Sequence, residues 1–72
     1  MTKNEAAKIA YDELDKTMSI KDIEEREEAY IFLCESPDPN IIPSKLIAAV
    51  NKKTGKTGFS ILSIEDAVKG CK

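Results

Sequence analysis

The apolar positions of this chain follow a helical period at first, then short β-branched and continuous apolar runs, before a short helical pattern returns at the end. At about 100° per residue Ala6, Ala7, Ala10, Tyr11, Leu14, Thr17 and Met18 fall within one arc, while Glu5, Lys8, Asp12, Asp15 and Lys16 lie opposite and Ile9 sits off the stripe. Thr2-Lys3-Asn4-Glu5 has the form of a capping box, so the helix is expected to begin at Thr2. Its small alanines allow close approach to a sheet, with Leu14, Ala10, Ala7 and Met18 as the knobs that fill it. Glu5 near its start and Lys16 near its end agree with the helix dipole.

From residue 19 onward the helical period is lost. The β-branched Ile20 and Ile23 predict a strand over residues 20–25 that turns at Arg26-Glu27-Glu28; a helix through this stretch is the competing reading. Residues 29–34, Ala-Tyr-Ile-Phe-Leu-Cys, form a continuous apolar run, which predicts a strand buried on both faces or central in its sheet. All three prolines fall within residues 36–44, and because proline lacks an amide donor and restricts its predecessor, this stretch is a loop. Ile41 and Ile42 are unusual there: one is expected to tuck against the core and the other to be a candidate for an exposed contact. Two β-rich runs, residues 45–50 and 58–62, flank the polar segment 51–57, which contains Gly55; this is the signature of a hairpin, read as the centre of the sheet. In the last strand Phe59 and Ile61 face one way, Ser60 and Leu62 the other. Ser63 reads as an N-cap, with Glu65 and Asp66 in the first turn, and Ile64, Ala67, Val68 and Cys71 give a short amphipathic helix weakened at its end by Gly70. The expected fold is therefore α+β: an N-terminal helix packed on one face of a three- or four-stranded antiparallel β-meander, followed by a short C-terminal helix.

Composition narrows the function more than it defines it. Seventy-two residues make a single domain, and so short a chain buries only about 60% of its unfolded surface, which implies a small core. Eleven basic against thirteen acidic residues leave a net charge of −2, which argues against a domain that binds nucleic acid by neutralising phosphates. The N-terminus opens directly into the amphipathic pattern, and no apolar run approaches the ~20 residues of a membrane span; a cytoplasmic protein without membrane contact is expected. In a reducing compartment Cys34 and Cys71 are expected as two free thiols.

No reactive constellation emerges. The chain has no histidine, so neither a Cys-His nor a Ser-His pair can form, and a structural zinc site lacks its ligands. Gly55-Lys56-Thr57 matches the tail of a phosphate loop, but Val50 stands where the first glycine is needed and a strand follows instead of a helix. The acidic run 24–28 lacks the spacing of a calcium loop and the apolar pocket that separates catalytic pKa values. Tyr11, Tyr30, Phe32 and Phe59 are read as core rings, because Ile64-Glu65-Asp66 stands where a double-stranded-RNA-binding domain would begin its last helix with basic residues. No catalytic residue, cofactor or metal is expected.

The leading helix with Glu-Ala-Ala-Lys-Ile-Ala-Tyr-Asp-Glu-Leu, the aromatic strand Ala-Tyr-Ile-Phe-Leu, the proline-bearing loop and the run Val50-Asn51-Lys52-Lys53-Thr54-Gly55-Lys56 together resemble two groups of small helix-plus-meander domains. One is the YrhB-type immunity proteins of bacterial polymorphic-toxin systems, which usually have tryptophan where this chain has Tyr30. The other is the PepSY-like domains, whose hairpins often carry aspartate at the position of Asn51. The first resemblance implies a non-enzymatic protein that neutralises a toxin by binding it. The second implies a regulatory or inhibitory module. The expectation is a small binding protein that presents sheet surface and an acidic turn to an unidentified protein partner through Glu24, Glu25, Glu27, Glu28, Ile41, Ile42, Lys52 and Lys53. The protein is expected as a monomer or weak homodimer; the alternative function is a self-associating structural or accessory domain that forms a homodimer through a sheet edge.

Overall fold

The capping box at Thr2 forms as expected: the Glu5 amide donates to Thr2 Oγ1 and the Thr2 amide donates to Glu5 Oε1, both at 3.2 Å. Helix α1 (Lys3–Glu13) follows, and Leu14 closes it with its amide on the Ala10 carbonyl. The computed structural model describes residues 1–14, 18–38, 40 and 44–72. Met18, expected on the helix, lies beyond it yet is buried against the same core. Lys16 and Thr17 fall outside the described residues.

The remaining elements are β1 (Ser19–Glu25), β2 (Ala29–Glu35), β3 (Lys45–Asn51), β4 (Thr57–Ser60) and α2 (Ile64–Gly70). The four strands pair antiparallel in sequence order, which decides for four strands and places residues 20–25 in the sheet. Ile20 faces Cys34 and Asp22 faces Leu33, so Lys21 is an extra residue in a bulge. The central hairpin turns on Asn51. Its Oδ1 accepts from the amides of Lys53 (2.8 Å) and Thr54 (3.1 Å), and its carbonyl accepts from Gly55 at 2.9 Å. Gly55 sits at φ +74°, a left-handed conformation that explains the glycine there.

Strand β2 carries apolar groups on both faces, and each face finds its own roof. Tyr30, Phe32 and Cys34 join Ala48 and Val50 beneath Ala6, Ala10 and Leu14 of α1. On the other side Ala29, Ile31 and Ala49 lie beneath Ala67, Val68 and Cys71. The expectation of one covered face is thus corrected: α2, N-capped by Ser63 Oγ on the Asp66 amide at 3.2 Å, roofs the second face. Ala6, rather than Ala7, is among the fully buried alanines of α1. Cys34 and Cys71 are free and buried, and they belong to clusters on opposite sides of the sheet.

Gly58 permits the second roof. A Cβ on Gly58 would run into the Ala67 carbonyl oxygen and the Cys71 amide, and one on Gly70 would lie 3.2 Å from the Gly58 Cα, so helix and strand meet backbone to backbone. Backbone atoms cannot swing aside as a side chain can. The predicted last strand also stops two residues early, at Ser60, because the chain must turn there to bring α2 back over the sheet. The Ser60 hydroxyl accepts from the amides of Leu62 (3.0 Å) and Ser63 (3.3 Å) to make that corner. Gly58→Ala is therefore expected to destabilise the fold by about 1–3 kcal/mol, read as a lowered urea midpoint, whereas Gly58 would be dispensable if the midpoint did not move.

Candidate functional site

Most of the residues expected to meet a partner lie at the end of the sheet where the β1–β2 and β3–β4 turns sit side by side. The Lys52 amide donates to the Glu28 carbonyl at 3.0 Å, stitching one turn to the other. The charges there are largely matched within the chain. Lys52 Nζ lies 2.7 Å from Glu25 Oε2 and 4.8 Å above the Tyr30 ring centroid, and Arg26 Nε lies 3.0 Å from Glu24 Oε2. The hydrogen bond and charge of Lys52 hold the Glu25 carboxyl below the ordinary carboxylate range. Glu27, Glu28 and Lys53 are exposed, whereas Ile41 and Ile42 fall outside the described residues. What stands at this end is a mixed-charge surface on which Glu24 and Glu25 are already paired, not a bare acidic patch.

A different surface is apolar and open. Helix α2 has seven residues, about 10 Å at 1.5 Å per residue, while β2 has seven, about 23 Å at 3.3 Å per residue. The helix therefore cannot roof the whole second face. Past its cover Leu33, Ile47 and Ile61 line a groove of about 360 Å³ together with Asp22, Glu35 and Lys45. Leu33 is 36% exposed, Ile61 65% and the adjacent Leu62 82%. In the register Leu33 lies opposite Ile47 and Asp22 opposite Leu33, so strand pairing brings the floor together. Glu35 Oε1 and Lys45 Nζ, 3.9 Å apart, form a charged rim.

Reading the strands one at a time missed this groove. Its signal was available, since residues 29, 31 and 33 share a face and the final helical pattern is too short to cover all three. The groove offers apolar contact and a polar rim rather than reactive groups. Cys34, which is among the residues at the groove, is buried in the α1-side core, and burial raises its pKa, which disfavours the nucleophilic thiolate.

The fold and groove define a small α+β domain with a four-stranded meander roofed on both faces. Compared with known proteins, the chain matches no family model, no curated protein and no solved structure.

The Glu25–Lys52 pair makes a testable electrostatic statement. A carboxyl whose folded pKa is depressed contributes stability that is present above its unfolded pKa and lost as pH falls through the folded value. Lys52→Ala should move the Glu25 titration, followed by side-chain carboxyl NMR, up toward the ordinary 4.5. It should also flatten the acid limb of the stability curve; an unmoved Glu25 would show that the pair does not hold in solution.

Proposed function

We propose that this chain is a small non-catalytic protein-binding module whose partner docks on the open half of the second sheet face, in the manner of an immunity protein that neutralises a toxin by occupying it. The observation that carries the reading is the groove formed by Leu33, Ile47 and Ile61, apolar at its floor and bordered by Asp22 and the Glu35–Lys45 pair. An apolar centre with a polar rim is the anatomy of protein interfaces. Among the described residues no buried polar or charged side chain lies in the interior, so the polar groups a partner could meet are at the surface. The resemblance to YrhB-type immunity proteins supplies the toxin-binding form of the proposal. The mixed-charge turns bearing Glu27, Glu28 and Lys53 then contribute steering at long range more than affinity.

The test is affinity capture from the native host with the full chain as bait, comparing the wild type with Leu33→Asp. A charge placed on the floor of a docking groove should cost about 2 kcal/mol or more, roughly thirtyfold in affinity. Glu27→Gln at the turns should weaken binding only slightly and mainly at low salt. If Leu33→Asp, still folded by circular dichroism, retained the same protein as strongly as wild type, the groove would not be the docking site.

A further inference from the structure

The sheet has two edges, and they are built differently. Strand β1 is broken by the bulge at Lys21 and carries Lys21, Asp22, Glu24 and Glu25; bulges and charges are the devices that keep an edge from pairing with another chain. Strand β4 has neither. From Thr57 to Ser63 the chain runs Thr-Gly-Phe-Ser-Ile-Leu-Ser, seven residues without a charge in a chain one-third charged. Its inner side pairs with β3, and in an antiparallel ladder alternate backbone groups of an edge strand point outward. Among the described residues no backbone bond is made to those groups from outside the ladder. Helix α2 does not occupy them: Gly58 points its missing Cβ into the helix, so α2 sits above the strand on the sheet face. Phe59 is 38% exposed, and Ile61 and Leu62 are the two most exposed large apolar residues described.

We infer that β4 pairs antiparallel with β4 of a second copy of this chain, extending the sheet to eight strands across a two-fold axis near Phe59. A strand that pairs antiparallel with itself satisfies two-fold closure without further design, since the same patch serves both subunits. Centred on Phe59, which pairs with Ala48 of the α1-side core, the register sets the two Phe59 rings side by side on the α1 face and brings Gly58 opposite Ser60 of the second copy, both within β4. The seam contains no charge to be desolvated or repelled, and a net charge of −2 per chain adds little long-range repulsion. The same uncharged, unprotected edge is present in every copy of this chain, and a second copy offers it in the antiparallel sense that two-fold closure requires. Ile61 borders both the groove and this edge, but the backbone groups of β4 point out of the sheet's side while the groove floor at Leu33 and Ile47 lies on its face, and variants at Phe59 and Leu33 separate the two.

Sedimentation velocity of the full chain between about 10 and about 500 µM should show a monomer passing to a dimer. Phe59→Lys sets two ammonium groups opposite each other in the seam and should raise the dissociation constant at least about tenfold. Ile23→Lys on β1 and Leu33→Asp in the groove should leave it unchanged. In the unmodified protein, amide exchange over residues 57–62 should slow as concentration rises while residues 19–25 keep their rates, a readout that needs no variant to fold. A monomer at every concentration overturns the inference. So does slowing confined to β1, or a dimer abolished by Leu33→Asp but not by Phe59→Lys.

Discussion

Strand β2 has to lose water on both of its faces, and the rest of the molecule follows from that requirement. Tyr30, Phe32 and Cys34 alternate with Ala29 and Ile31, so a single covering layer would leave half of the most apolar segment exposed. Sheet neighbours β1 and β3 satisfy its backbone on either side. Two helices satisfy its side chains from above and below. With so few residues available, each covering element is short, and each depends on small residues to come close. Ala6 and Ala10 do this for α1, and the Gly58–Gly70 contact does it for α2.

Close approach has a structural cost that appears at the surface. Because α2 must sit directly on β4, the strand ends at Ser60 and the chain turns on the Ser60 hydroxyl. Ile61 and Leu62 are left on the outside of that corner. Because α2 is short, Leu33 and Ile47 at the far end of the second face are only partly covered. The exposed apolar groups are thus by-products of the same packing that buries the core. They are also the features from which recognition can be built, since apolar floors and unpaired strand edges gain most from a partner.

Charge at the opposite end works in the reverse sense. The run from Glu24 to Glu28 looks strongly acidic in one dimension, but β1–β2 and β3–β4 turn at the same end of the sheet and bring Lys52 onto Glu25, while Arg26 folds back on Glu24. Exposed pairs of this kind stabilise little. They do lower the local field, while the Lys52–Glu28 backbone bond ties one turn to the other.

Local chemistry along the chain determined where elements begin and turn: the capping box at Thr2, the Ser63 cap, the polar turn with Gly55 and the continuous apolar run of residues 29–34 are each written in a few neighbouring residues, and each appears in the fold. The β-branched Ile20 and Ile23 also marked residues 20–25 as a strand against a competing helix, though not its bulge, which depends on pairing with β2. Tertiary structure alone decided which helix covers which face, why Gly58 has no side chain, and that Glu25 meets Lys52 across twenty-seven positions. It also decided that Leu33, Ile47 and Ile61 share one groove. Those outcomes turn on distances between elements, and a linear pattern specifies which way a side chain points but not how far the next layer reaches to cover it.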